Sequence, residues 1–87
     1  MDAYVYILKD ERNHFYIGST QDIKKRIRQH ELGHTQTTRN MVKPKLVLKQ
    51  KIESLEKARK IELRLKKLKR RDYIEKIVSD GYIKMVE

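Results

Sequence analysis

Hydrophobic and polar residues alternate along two short segments near the start of the chain. The first segment, Ala3 to Lys9, places Val5 and Ile7 on one face, and the second, His14 to Ser19, alternates in the same way. The break between the two segments is polar and short, which is typical of a β-hairpin. The pattern therefore predicts two neighbouring antiparallel strands.

The length of the hairpin loop decides which side chains share a face. A three-residue loop, Glu11-Arg12-Asn13, requires a left-handed backbone at Asn13, which Asn tolerates better than most residues. That register gathers the aliphatic side chains on one face and puts Tyr6 and Tyr16 together on the other, open side. An even-numbered loop would separate the two tyrosines. Because register follows the hydrophobic pattern, we predict the three-residue loop.

A helix follows the second strand. We predict Thr20 (or Ser19) as its N-cap and Gly33 as its end. Four residues at helical spacing form one side of it: Ile23, Arg26, Ile27 and His30. Two polar side chains, Arg26 and His30, are therefore expected to face inward.

The second half of the chain predicts one strand and two helices. Lys45 to Ile52 alternates as a third strand, and Ser54 is a good N-cap for a long helix. The buried stripe of that helix is predicted at Leu55, Ala58, Ile61, Leu65 and Leu68. A further helical segment, Tyr73 to Val78, ends before Gly81. The polar segment at 34–43 is either a substrate-contacting surface or a disordered linker.

Length and composition limit the class of protein. Eighty-seven residues allow one domain, 1–87, with a modest core. The absence of cysteine excludes a disulfide framework and a thiolate metal site. No signal-peptide pattern is visible, and the apolar run from Ala3 to Leu8 is too short to span a bilayer. The expected location is the cytoplasm.

Net charge indicates the class of partner. Lys and Arg number 22 against 12 acids, which gives a formal charge of +10. A domain this basic attracts a polyanion, and nucleic acid, DNA or RNA, is the commonest one. In Lys57 to Arg71, nine of fifteen residues are basic, which indicates either a phosphate-binding surface or a solvated helix face. Candidate nucleic-acid contacts are Lys25, Arg39, Lys66, Lys69 and Arg70.

Five side chains supply the groups that metal-assisted phosphodiester hydrolysis requires: Tyr6, Tyr16, Arg26, His30 and Glu62. Each also has a purely structural interpretation. Glu62, at the inner edge of its helix stripe, is either half of a salt bridge or a ligand for a hard divalent cation. Arg26 is either a buried ion pair or a phosphate clamp, and His30 either a core histidine or a proton acceptor.

Tyr6 and Tyr16 also have both a structural and a functional interpretation. Aromatic packing is the commoner fate of tyrosines on strands. A tyrosine serves as a base only where cations such as Arg26 or Lys25 favour its phenolate. Motifs of other chemistries are missing from the sequence, including a Cys nucleophile, GxGxxG, GxxxxGK[ST] and HExxH.

Two tyrosine triplets, YVY at 4–6 and YIG at 16–18, followed by Arg26, His30 and Glu62, resemble the GIY-YIG nuclease superfamily. The similarity is greatest to small stand-alone members related to the catalytic domain of an excinuclease. The resemblance implies a small three-stranded antiparallel sheet flanked by helices, an α+β fold. It also implies hydrolysis of DNA phosphodiester bonds with a single Mg²⁺ or Mn²⁺ ion.

The resemblance assigns a role to each candidate. Tyr6 and Tyr16 would position or deprotonate the attacking water, and Arg26 would stabilise charge on the phosphate. His30 would assist proton transfer or orient a tyrosine. Glu62 would hold the metal ion. The expected function is a metal-dependent DNA endonuclease, in repair or recombination. The alternative is a non-catalytic nucleic-acid-binding module that uses the basic helix 57–71.

This chain departs from the family pattern at three places. Tyr4 stands where the first motif has glycine, and Val5 stands where it has isoleucine. Several nucleases of the superfamily also carry a late asparagine, whereas no Asn follows Asn40 in this chain.

Overall fold

The computed structural model describes residues 2–32, 41–68 and 70–83, which form a three-stranded sheet and three helices. The elements in chain order are β1 (Ala3–Lys9), β2 (Phe15–Thr20), α1 (Ile23–Glu31), β3 (Lys45–Ile52), α2 (Leu55–Leu68) and α3 (Arg71–Asp80). This confirms the predicted α+β fold. Most of the polar segment predicted at 34–43 lies outside the described residues.

The sheet is antiparallel throughout, with β1 in the centre and β2 along one edge. Across the hairpin, Ile7 pairs with Ile17 and Tyr6 pairs with Gly18. Asn13 has a φ of 64°, the left-handed value that the three-residue loop requires. The predicted register is therefore confirmed.

One face of the sheet carries the hydrophobic core. Val5 and Ile7 are fully buried there and pack against α2 and α3. The helices contribute Ala58, Ile61, Leu65, Ile74 and Ile77. The prediction that Leu68 is buried was wrong, because this last residue of α2 is 42% exposed at the end of the helix.

The opposite face is covered by α1, whose start differs from the prediction. The N-cap is Asp22, and its side chain accepts a hydrogen bond from the Lys25 backbone N–H at 3.1 Å. Thr20, the predicted cap, is still part of β2. Its hydroxyl accepts from the Asp22 N–H at 3.1 Å, so that the chain turns before the helix begins.

The hairpin loop is fastened by a buried carboxylate. Asp10 Oδ1 accepts from the backbone N–H groups of Arg12 and His14, at 3.0 and 2.7 Å. Its Oδ2 accepts from the Val42 N–H at 3.1 Å and lies 3.2 Å from His14 Nδ1. Burial raises the pKa of Asp10, but the N–H groups of His14 and Val42 outweigh burial and lower the pKa to about 2.

The last helix ends at a glycine that suits its position. Gly81 has a φ of 81°, and its N–H bonds to the Ile77 carbonyl at 2.9 Å. Beyond it, buried Ile83 donates its backbone N–H to Gln50 Oε1 at 2.6 Å, which ties the end of α3 to β3.

The helices are short and charged. The longest, α2, has 14 residues. Within the described ranges, none of the helices has the length and apolar character needed to cross a membrane.

Candidate active site at the edge of the sheet

Tyr6 reaches the edge of the sheet because its cross-strand partner has no side chain. Tyr6 lies on the central strand opposite Gly18. A Cβ atom at Gly18 would lie 2.5 Å from Tyr6 Cζ and 2.9 Å from Cε1, so the ring lies directly over this glycine. The phenol of a central-strand residue is thereby brought to edge strand β2.

Three aromatic rings form a cluster on this face. The ring centroids of Tyr6 and Tyr16 are 6.1 Å apart, and His30 lies 5.6 Å from the first and 4.9 Å from the second. Tyr6 Oη and His30 Nε2 are 2.8 Å apart, a hydrogen bond between buried groups. The prediction that Tyr6 and Tyr16 share a face of the sheet is confirmed. The prediction that this face is open was wrong for Tyr6. Tyr6 is only 1% exposed, because His30 of α1 covers it.

Glu62 approaches the same edge from the opposite side of the sheet. Ser19 points toward α2, and its hydroxyl donates to Glu62 Oε1 at 2.5 Å. Lys66, one turn further along α2, donates to Glu62 Oε2 at 2.7 Å. The Glu62 side chain retains 18% exposure. Its carboxylate is therefore held in place yet open to solvent.

An open groove of about 320 Å³ lies between the cluster of aromatic rings and Glu62. Tyr6, Tyr16 and Gly18 line it from one side, and Glu62 lines it from the other. The half-buried Arg26 of α1 also lines the groove. The structure thus brings Tyr6, Tyr16, Arg26 and Glu62 to one cavity, with His30 directly behind Tyr6.

The pKa values show which groups carry protons. Burial and the neighbouring Tyr16 raise the pKa of Tyr6 well above its usual value, against an opposing effect of Arg26. Burial, together with Arg26, lowers the pKa of His30 below its usual value. At neutral pH Tyr6 is therefore a protonated phenol beside a neutral imidazole. The cations do not produce the phenolate that a tyrosine base requires.

The residues present fit a single hard cation better than a multi-ligand cage. Over residues 2–32, 41–68 and 70–83, no group of three or more His, Cys, Asp or Glu side chains is arranged to hold a metal ion. One fixed carboxylate beside an open groove suits Mg²⁺, which commonly keeps several waters and takes one or two carboxylates plus phosphate oxygens. Glu62 is the candidate ligand.

The predicted nucleic-acid contacts do not all lie at this groove. Lys25 is exposed on α1, apart from the residues that line the groove. Lys66 touches the site through Glu62, and Arg70 lines a neighbouring groove. Arg39 and Lys69 lie outside the described residues.

Three side chains of the groove were not predicted from the sequence. Ser19 fixes Glu62, whereas Arg59 and Leu63 line the groove beside it. The helical spacing held a signal for Arg59, which lies three residues before Glu62 on the same side of α2. The contact of Ser19 spans 43 residues in sequence and had no local signal.

Comparisons with known proteins found a family model and a solved structure that match this chain. A family model, the GIY-YIG catalytic domain, matches residues 2–76. The chain is also similar to the UPF0213 protein BH0048 from Bacillus halodurans, solved by solution NMR, with 33% identity and a TM-score of 0.59. That match covers 93% of this chain and 87% of the other. Among curated proteins, none matches. With its YIG glycine under Tyr6 and a family match along most of its length, this chain belongs to the GIY-YIG nuclease family.

Proposed function

We propose that this protein is a metal-dependent endonuclease that hydrolyses phosphodiester bonds in DNA. The observation that carries the proposal is the groove in which Tyr6, Tyr16, Arg26 and Glu62 meet. These side chains supply a proton path, a cation for the phosphate and a metal carboxylate. Membership of the GIY-YIG family supports action on nucleic acid.

The proton path begins at Tyr6. Since the Tyr6 phenol keeps its proton and His30 is neutral, the 2.8 Å contact suits a Tyr6 O–H that donates to an unprotonated Nε2. Tyr6 then accepts the proton of the attacking water while it passes its own proton to His30. In this scheme His30 is the final acceptor and Tyr6 is a relay.

Arg26 stabilises the negative charge on the phosphate. Its guanidinium is always charged and presents a planar set of donors that matches phosphate oxygens. It lines the groove next to Tyr6, where it faces the negative charge that develops as water attacks phosphorus. Tyr16, packed on His30 with centroids 4.9 Å apart, limits the movement of the imidazole.

Glu62 would hold Mg²⁺ or Mn²⁺. When bound, the ion neutralises charge on the phosphate and stabilises the leaving oxygen. Ser19 keeps one carboxylate oxygen oriented, and Lys66 has to release the other oxygen. The Glu62–Lys66 pair is partly exposed and opens at little cost, because such pairs contribute about 0–1 kcal/mol.

Cleavage of plasmid and branched DNA substrates with Mg²⁺, Mn²⁺ or a chelator tests the proposal. We expect cleavage only with metal, and a loss of about a hundredfold or more in Glu62→Gln and Arg26→Gln. Glu56→Gln is the matched control, because Glu56 lies in the first turn of the same helix and pairs with Lys60 on an exposed face.

Two outcomes contradict the proposal. Wild-type protein that cuts no nucleic acid with either metal excludes the nuclease. Salt-sensitive binding without cleavage then favours a non-catalytic binding module. Such a module would use the basic residues of α2 and of the start of α3, because the predicted single helix 57–71 was wrong: α2 ends at Leu68 and α3 begins at Arg71. Cleavage by Glu62→Gln at the wild-type rate shows that any nuclease activity comes from elsewhere.

A further inference from the structure

A second groove lies beside the catalytic one and shares a wall with it. We call it the Phe15 groove; it has a volume of about 400 Å³ and lies between the hairpin and helices α2 and α3. Tyr16 lines both grooves. Lys66 lines the Phe15 groove while it contacts Glu62 of the catalytic groove and lies 5.6 Å from the Tyr16 ring centroid. A strand bound at Glu62 can therefore continue past Lys66 into the Phe15 groove.

The Phe15 groove has an apolar floor and a cationic rim. The floor is formed by Phe15, Ile17, Leu65 and Ile74. Lys66, Arg70 and Arg71 provide the rim, and the described residues contribute no acidic side chain to the lining. A flat hydrophobic ring with a phosphate attached is the ligand that matches such a surface.

Phe15 already holds two cations over its ring, and a base that stacks there displaces one of them. The Arg71 guanidinium lies 5.7 Å from the Phe15 centroid, and Lys9 Nζ lies 5.6 Å from it. Phe15 itself is partly exposed. Bases stack on aromatic side chains and on arginine planes whatever their sequence, because every base has a π-face.

The rim cations are available to a phosphate. Arg70 pairs with Asp72 at 2.9 Å and Arg71 with Glu75 at 3.1 Å, both on exposed surface. Ion pairs of this kind contribute little and open readily. A phosphate that carries a full negative charge can replace either carboxylate as the partner.

We propose that the Phe15 groove is a nucleotide subsite that binds one unpaired nucleotide of the substrate strand next to the bond being cut. The base stacks against Phe15, and the phosphate binds Arg70 and Arg71. A base within a duplex is already stacked and paired, so the occupant must be unpaired. The proposal rests on the proposed nuclease function for the position of the cut.

Crosslinking tests the placement of the base without any cleavage. The probe is a short DNA duplex with a single-stranded overhang that carries 5-iodouracil at successive positions, in the presence of a chelator. We expect one overhang position to crosslink to Phe15 itself, and fragmentation of the peptide distinguishes Phe15 from neighbouring Tyr16, which also lines the groove of Glu62. An absence of crosslinks to Phe15 from every position, in protein that still binds the DNA, overturns the subsite.

Affinity provides the second readout. Wild-type protein should bind the overhang DNA more tightly than a blunt duplex of the same length. Phe15→Leu and Arg71→Gln should each weaken overhang binding about tenfold. Lys60→Gln is the matched control for Arg71→Gln, because it removes one charge from a comparable exposed pair, Lys60–Glu56, on a helix. Equal effects of Arg71→Gln and Lys60→Gln overturn the subsite.

The two proposals fail in different ways. Glu62-dependent cleavage without a Phe15 crosslink, or without overhang preference, removes the subsite and leaves the nuclease. A Phe15 crosslink and an Arg71-dependent preference in protein that never cleaves support the nucleotide subsite and remove the nuclease.

Discussion

Gly18 gives the clearest link between one residue and the site. It lies under the Tyr6 ring, and any side chain there would displace the ring and break its hydrogen bond to His30. We expect Gly18→Ala to lower the free energy of unfolding by about 1–3 kcal/mol, the usual cost of overpacking. The proposed nuclease activity should fall more than stability explains, because Tyr6 would no longer face the groove. Urea unfolding and initial cleavage rates measure the two effects.

Gly81→Ala is the control for Gly18→Ala. The φ of 81° at Gly81 makes this variant strained by about 1–2 kcal/mol, yet a Cβ at this position would have no neighbour within 4 Å. This variant should lose a comparable amount of stability while it retains cleavage. Equal activity losses in the two variants would show that the Gly18 effect is one of stability alone.

Single residues also mark the limit of prediction from sequence. The spacing of Arg26 and His30 was enough to place both on the inner side of α1, because helical geometry is local. The burial of Tyr6 depends on a glycine across the sheet and a histidine from a helix. The Ser19–Glu62 contact likewise depends on how α2 packs at the sheet edge. No local pattern determines such contacts.

At the scale of an element, the β1–β2 hairpin and the helix that follows it also have one feature that the sequence predicts and one that it does not. The register of the hairpin was predictable because alternation and the left-handed preference of Asn13 favoured one loop length. The N-cap of α1 was not predictable, because Thr20 and Asp22 both belong to the residue types that cap helices. Asp22 is the cap because β2 extends through Thr20, so the helix begins only after that residue.

The fastening of this hairpin by Asp10 predicts an acid-dependent stability. The folded protein lowers the pKa of Asp10 from 3.8 to about 2, so the carboxylate stabilises the fold above pH 4. This contribution is lost as the pH falls from about 4 toward 2, because the unfolded chain binds the proton first. We expect Asp10→Asn to be destabilised at pH 7 and to lose less stability than wild type on acidification. Thermal unfolding between pH 7 and pH 2.5 measures both effects.

The hairpin should also loosen locally in Asp10→Asn. Three backbone N–H groups bond to this carboxylate, those of Arg12, His14 and Val42, and their hydrogen exchange should accelerate. Asp72→Asn is the control, since Asp72 is an exposed partner of Arg70 and its loss should have a small effect. Unchanged exchange at the three amides would contradict the role of Asp10.

For the molecule as a whole, the question is which of its many cations would contact the phosphates of the proposed DNA substrate. The net charge of +10 attracts nucleic acid from a distance, whichever face it reaches first. On α2, however, the basic side chains do not share one side. Arg59 lines the groove of Tyr6 and Glu62, whereas Lys60 lies on the exposed side and pairs with Glu56. If DNA binds in the groove, Arg59 and Lys60 should therefore contribute unequally to DNA binding. If DNA binds along a uniformly basic helix, the two should contribute equally.

The salt dependence of DNA binding distinguishes these two arrangements. Each phosphate contact with duplex DNA adds about 0.9 to the slope of log affinity against log salt concentration. Arg59→Gln should reduce the magnitude of the slope by about that amount, whereas Lys60→Gln should leave it unchanged. The measurement uses fluorescence anisotropy of a labelled duplex with a chelator present, so that no cleavage interferes. Equal reductions in both variants would indicate that DNA lies along the outer face of α2, away from Glu62.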